Sequence, residues 1–323
     1  MTLAFYLQLA DQLNTNAVVV ATVIQIRGSV PREVGAKMMI WAEAQTSGTI
    51  GGGAGEAKVI QTAQQVLITG EKQFVEIDLS GVTHRETQGI CGGLMTLWLE
   101  RWQGESARHL TQQIIARLRA GRAVTLITPL DQTRSPFIHS SPHPPPPSPS
   151  PFDFTEILQP PPTLLIVGAG HCGRQLAKVA DLVGFQVMVQ DDRPEWANAS
   201  YYPQVAQVFT AAIADVVTQL ADHTQLYAAL VTRGYGYDLA ALKALLQREV
   251  PCQYIGMIGS QKRVHQVFEA VAEAGFTAAQ LQTVHAPIGL DIGALTPEEI
   301  AISITAELIL VRRGGTGRPL STC

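Results

Sequence analysis

The run Leu-Leu-Ile-Val-Gly168-Ala-Gly170-His-Cys-Gly173 constrains this chain more than any other segment. Apolar residues arrive without polar interruption, as in a strand covered on both faces, and the chain then enters a helix-forming stretch through a Gly-x-Gly-x-x-Gly turn. Such glycines let a diphosphate approach the backbone, and the helix amino end supplies N–H groups to it. An acid at the end of the next strand is placed to accept from a ribose hydroxyl. Asp191 and Asp192 stand there, roughly 20 residues on. The bland reading, glycines that serve only helix–sheet packing, stays open beside this one.

Alternation of strand-like and helix-like segments continues to the carboxyl end. Strands are expected at Thr163–Val167, Gln186–Gln190, Gln207–Thr210, Tyr227–Val231 and Gln253–Ile258, with helices at Cys172–Val183, Ala214–Ala221 and Leu239–Gln247. That order predicts an open parallel sheet with right-handed crossovers, a Rossmann-type domain. Thr296, Pro297 and Glu299 mark the start of a closing helix as cap, first residue and capping-box partner.

The first half reads as a second α/β layer. A helix at Met1–Leu13 leads to strands at Ala17–Arg27 and Lys37–Trp41, a helix at Glu56–Leu67, strands at Phe74–Leu79 and Leu94–Trp102, a helix at Ala107–Ala120 and a strand at Ala123–Thr128. Between the halves, Ser141 to Pro151 is a proline-rich run that cannot supply ladder donors; it reads as an extended spacer. The expected division is 1–134, a linker or insertion at 135–162, and 163–323. A strand at Phe154–Leu158 is a candidate to rejoin the first domain.

Other segments offer binding chemistry. Gly256-Met-Ile-Gly259-Ser260-Gln-Lys262-Arg263 places two cations in the first turn of a helix, an arrangement that a bound anion would relieve. His285 and Asp291 lie in a glycine-rich loop before the closing helix, and Asp238 is read as the cap of the helix expected at Leu239. In the first half, Gly51-Gly52-Gly53 and the Gly28–Gly35 loop are candidates for an anion cradle around Arg32. Cys91, before Gly92-Gly93, could ligate a soft metal such as molybdenum or carry sulfur. The four cysteines are widely spaced and form no CxxC pair, which points to neither a zinc site nor a disulfide framework.

Bulk properties narrow the partners. A formal charge of −4 without a Lys/Arg stripe argues against nucleic acid, and the longest apolar run, Ala17–Ile26, is too short to span a bilayer. No cationic leader precedes it, so a cytoplasmic location is expected. With 15% charged residues the surface is charge-poor and suited to covering by a partner, a second copy in a homodimer among the candidates.

Together the segments resemble the XdhC/CoxI family of xanthine dehydrogenase accessory proteins. The resemblance rests on Gly28-Ser-Val-Pro-Arg-Glu-Val-Gly-Ala-Lys37, Gly48-Thr-Ile-Gly-Gly-Gly53, Cys91-Gly-Gly93, Gly168-Ala-Gly-His171, Asp191-Asp-Arg193, Tyr254-Ile-Gly-Met-Ile-Gly-Ser260 and His285-Ala-Pro-Ile-Gly-Leu-Asp-Ile-Gly293. It implies a chaperone that binds molybdenum cofactor, as molybdopterin or its dinucleotide form, guards it during sulfuration and delivers it to the apo-subunit of a molybdenum hydroxylase. The second implied partner is a cysteine desulfurase. The implied binding residues are Gly168, Gly170, His171, Gly173, Asp191, Asp192, Gly259, Ser260, Arg263, His285, Asp291, Arg32, Gly51, Gly52, Gly53 and Cys91, the last as molybdenum ligand. Two departures stand out: Ala54 occupies the place of a common family cysteine, and Thr232-Arg-Gly-Tyr-Gly-Tyr-Asp238 lacks both histidines of a frequent family segment. Two other classes fit the glycine turn: an NAD(P)-dependent oxidoreductase, with His171, Tyr235, Tyr237 or His285 as proton donor, and a nucleotide-binding scaffold without chemistry.

Overall fold

The computed structural model describes residues 2–79, 92–139 and 152–322. The chain divides into two compact units, one ending at Leu158 and the other starting at Gln159, with Ala120–Arg122 grouped with the second.

The first unit contains α1 (Thr2–Gln12), β1 (Val18–Arg27), β2 (Lys37–Trp41), β3 (Gln45–Gly48), α2 (Gly53–Thr69), β4 (Gln73–Asp78), β5 (Leu94–Trp102), α3 (Gly104–Arg119), β6 (Val124–Pro129), β7 (Phe137–Ile138) and β8 (Asp153–Leu158). Its main sheet runs β3-β2-β1-β5-β4, and each pairing is antiparallel. A smaller sheet, β7-β6-β8, pairs Val124 with Leu158 and Pro129 with Asp153.

The sequence of β1, Val-Val-Val-Ala-Thr-Val, is apolar at successive positions because both faces of this antiparallel sheet are covered. Val18 and Val20 point to the side where Tyr6 and Leu9 of α1 meet Ile114 and Leu118 of α3. Val19, Ala21 and Val23 point to the other, against Val59, Ala63 and Val66 of α2. Burial of each such side chain contributes about 1.5–3 kcal/mol, so both covering layers stabilise this central strand.

The second unit contains β9 (Thr163–Val167), α4 (His171–Leu182), β10 (Gln186–Gln190), β11 (Gln207–Phe209), α5 (Ile213–Gln219), β12 (Leu226–Leu230), α6 (Tyr235–Leu246), β13 (Tyr254–Met257), α7 (Gln261–Glu273), α8 (Ala278–Leu281), β14 (Val284–His285) and α9 (Pro297–Arg313). The sheet order is β11-β10-β9-β12-β13-β14, parallel throughout, the expected Rossmann-type arrangement. Helices α4 and α9 cover one face through Leu176, Ala180, Ile304 and Leu308; α5, α6 and α7 cover the other through Val216, Leu242 and Val267. Strand order reverses between β9 and β12, so the loops after these two strands flank the crevice where ligands of such sheets bind.

Candidate functional site

The turn between β9 and α4 holds the Gly168–Gly173 motif, and its three glycines are needed for different reasons. Gly168 has φ +115°, and a Cβ there would lie 2.5 Å from the Val231 carbonyl oxygen, across the switch point. At Gly173 a Cβ would fall 2.1 Å from the Gly168 oxygen, so glycine is required for the helix to lie against the turn. Gly170 differs: its φ is −72° and a Cβ there would meet nothing within 4 Å. It is the amino cap of α4, and no side chain caps that helix. Orphan N–H groups at such an end suit an anion. His171 begins the helix exposed to solvent, its ring 5.7 Å from that of Trp196 in an edge-on arrangement.

The acids of the motif are already engaged. Asp191 accepts from the Ala169 N–H at 2.8 Å, from Arg193 Nε at 2.8 Å, and pairs with Arg233 at 3.3 Å. Burial pushes its carboxyl up, but the Arg193 side chain and the Ala169 and Arg193 backbone N–H groups outweigh that and bring it down to about 2. Asp192 pairs with Arg233 at 2.8 Å, and Arg233 also stacks on and hydrogen-bonds Tyr237. A ribose hydroxyl would have to compete with these cations, so the nicotinamide-dinucleotide reading finds no support in the acid.

The loop after β12 corrects two expectations. Asp238 does not cap its helix: α6 starts at Tyr235 with Gly234 as cap, which puts Asp238 in the first turn, fully buried. There it accepts from the Thr232 hydroxyl at 2.6 Å and from Arg263 Nε at 2.6 Å. Arg263, expected to await an external anion, thus has an internal one, and it also donates to Thr232 Oγ1 at 3.0 Å. Burial still pushes the Asp238 carboxyl above its ordinary value. Ser260 caps α7 by accepting from the Arg263 N–H, beside Gly259, while Lys262 lies exposed. Tyr235 and Tyr237 of the same segment are 43% and 41% exposed.

At the end of β14, His285 is held by a residue that sequence reasoning missed. Glu307 of α9 lies within 3.1 Å of His285 Nδ1, accepts from the Gly289 N–H at 2.8 Å and from the Tyr254 hydroxyl. The Tyr254 ring stacks on His285 with centroids 4.6 Å apart. The available signal was a carboxylate on the apolar face of α9, between Ile304 and Leu308. Asp291 is exposed.

In the first unit, Gly52 and Gly53 have φ of +76° and +68°, and a Cβ on either would meet nothing. Their cradle is filled from within: Glu56 Oε2 accepts from the Thr49 hydroxyl at 2.6 Å and from the Ile50 and Gly52 N–H groups at 3.1 Å each. Burial raises that carboxyl, yet these donors together outweigh it and hold it below the usual carboxylate range. Gly51 packs on Pro31, where a Cβ would come within 2.4 Å of the ring. Arg32 itself lines another cavity, beside Lys37 and Glu156. Ala54 is exposed.

Cys91 lies outside the described residues. Of the thiols described, burial and then Glu298 push Cys172 up, and burial pushes Cys252 up to about 11, so neither presents a ready thiolate. Among the described residues no group of three or more His, Cys, Asp or Glu could hold a metal ion, and no helix is long and apolar enough to cross a membrane.

An antiparallel α/β unit followed in the chain by a parallel Rossmann-type unit, with an open glycine turn at the switch point, defines a mixed α/β protein of Rossmann-type architecture. The particular lineage follows from comparison: residues 13–78 match the XdhC and CoxI family and residues 164–308 match the XdhC Rossmann domain, so the chain belongs to the XdhC/CoxI family. A Bacillus subtilis (strain 168) protein named as a probable xanthine dehydrogenase subunit is 27% identical, over 91% of this chain and 93% of its own length. Molybdenum cofactor insertion chaperone PaoD of Escherichia coli K12 is 22% identical over 91% of this chain and 83% of its own. The crystal structure of a xanthine dehydrogenase from Bacillus halodurans superimposes with a TM-score of 0.71 at 26% identity, covering 98% of this chain and 99% of that one.

Proposed function

We propose that this protein is an accessory factor that binds molybdenum cofactor and delivers it to a xanthine dehydrogenase-type molybdenum hydroxylase. The observation that carries the reading is the uncapped amino end of α4 at Gly170, where open space rather than packing accounts for the glycine, in a chain whose relatives include a cofactor insertion chaperone. The cofactor's phosphate or diphosphate fits the donors present: backbone N–H groups at His171 and Cys172, at the positive end of a twelve-residue helix. When bound, the cofactor would supply the molybdenum centre of the client enzyme. The chain's own backbone N–H groups would hold its phosphate.

On this reading Cys91 is the candidate molybdenum ligand and the place where sulfuration by a cysteine desulfurase would be monitored. The test is a titration of the full chain with molybdenum cofactor, followed by fluorescence and co-elution, then activation of apo-hydroxylase. Saturable binding that weakens at least tenfold in Gly170→Ala supports the reading. Undiminished affinity in that variant, or no binding by the wild type, refutes it.

A further inference from the structure

The loops after β10 and β12 meet across the switch point, and their side chains shut it. The cavity there, bounded by Gly168, Gln190, Asp191, Thr232 and Arg233, measures about 20 Å³. That is room for about one water molecule, far below the volume of a ligand site. Arg233 closes the space. Its guanidinium forks onto Asp192, Nη1 to Oδ1 at 2.8 Å and Nη2 to Oδ2 at 3.0 Å, and lies over the Tyr237 ring at 4.0 Å from the centroid. The Tyr237 hydroxyl donates to Asp192 Oδ2 at 3.3 Å.

The closure is lightly held. The Arg233 and Asp192 side chains are 37% and 47% exposed, and solvent screens a pair so placed. Asp191, which is buried, does not depend on Arg233: Arg193 already forks onto it at 2.8 and 2.9 Å, against 3.3 Å for Arg233. Arg233 can therefore turn away from both acids without stranding a buried charge.

Its position decides what would draw it away. Asp191 Oδ2 accepts from the Ala169 N–H of the glycine turn at 2.8 Å while Oδ1 faces Arg233, so a single carboxylate separates the guanidinium from the turn. A phosphate on the amino end of α4 uses helix N–H groups and leaves Arg233 on Asp192. A second phosphate of the same ligand brings an anion towards the guanidinium, which binds phosphate oxygens through the same fork that it offers a carboxylate.

We propose that the Asp192–Arg233 pair is a latch on the crevice, and that Arg233 leaves Asp192 to take the second phosphate of a diphosphate ligand, so that the site selects diphosphates over monophosphates. The proposal rests on the reading of the glycine turn as an anion site. It is indifferent to what the diphosphate carries.

The experiment is calorimetric titration of the full chain with inorganic phosphate and with pyrophosphate, in wild type, Asp192→Asn, Arg233→Ala, Arg233→Lys and Gly170→Ala. The wild type should bind pyrophosphate at least tenfold more tightly than phosphate. That preference should rise at least threefold in Asp192→Asn, which frees the guanidinium, and fall at least tenfold in Arg233→Ala. Arg233→Lys, which keeps the charge and loses the fork, should lie between wild type and Arg233→Ala, and Gly170→Ala should weaken both anions. A purely structural pair would shift binding the same way whichever partner is removed, so the opposite signs carry the test. A preference unchanged in Arg233→Ala, or moved in one direction by Arg233→Ala and Asp192→Asn alike, overturns the latch even where Gly170→Ala still weakens both anions. Failure of the wild type to bind pyrophosphate overturns it as well, and the cofactor titration then decides the proposed function by itself.

Discussion

Replacing Asp191 by asparagine tests whether this acid holds the glycine turn together or waits for a ligand. In the fold its carboxylate ties three elements to one another: the Ala169 N–H in the turn, the Arg193 fork two residues on, and Arg233 from the loop after β12. A carboxyl held at about 2 instead of the ordinary 3.8 is worth at most about 2.4 kcal/mol. Arg193 and Arg233 are 29% and 37% exposed, and solvent screening reduces that to about 1–2 kcal/mol. For a unit of this size the loss lowers Tm by roughly 2–8 °C at neutral pH. The pH sign follows from the depressed value. The contribution is complete above the ordinary carboxylate range and disappears as pH falls from about 4 to about 2, so wild type and Asp191→Asn should converge in acid. Scanning calorimetry from neutral pH down to about pH 2 measures both effects. If Asp191→Asn matches the wild type in Tm at neutral pH yet loses ligand affinity, the internal role argued here is wrong and the acid serves a ribose after all.

Two further outcomes are expected. Gly170→Ala should change urea stability by no more than about 0.5 kcal/mol, since its Cβ enters open space at an ordinary φ, whereas Gly173→Ala drives a Cβ into the Gly168 carbonyl and should cost about 1–3 kcal/mol or more. Equal effects at the two positions would show that the motif serves packing alone. Glu56→Gln should cost about 1 kcal/mol in denaturant unfolding and let inorganic phosphate raise Tm in the variant but not in the wild type; an equal phosphate response in both would mean that Glu56 does not fill the cradle.

Much of the second unit was legible because its signals are local. An unbroken apolar run, a glycine turn and an alternating pattern dictate β9, α4 and the strands that follow, and Thr296, Pro297 and Glu299 form the capping box their spacing announces. The two-residue strands β7 and β14 carry no pattern long enough to read. Antiparallel pairing in the first unit was also hidden, since β1, covered on both faces, shows the continuous apolar run usual for parallel strands. At the candidate sites, residue types were readable and partners were not. Arg263 looked like a free cation because Asp238 lies 25 residues away in sequence, and Glu307 reaches His285 across 22. The Asp191–Arg193 pair, two residues apart, could have been suspected from spacing.

Partnership, not motif, therefore decides what each loop can do. A glycine cradle whose N–H groups already face a carboxylate, as at Gly52 with Glu56, gains little from a second anion, which would have to displace a bound charge that costs nothing in translational freedom. The cation at Arg263 is equally committed to Asp238. The same physics that supplies an internal partner at these two places supplies none at the third. At Gly170 no side chain caps the helix, no packing demands the missing Cβ, and the adjacent Asp191 is neutralised by two arginines instead of repelling an incoming phosphate. On the proposed reading, a negatively charged ligand approaching the crevice would meet a glycine turn whose neighbouring acid is already neutralised by Arg193 and Arg233.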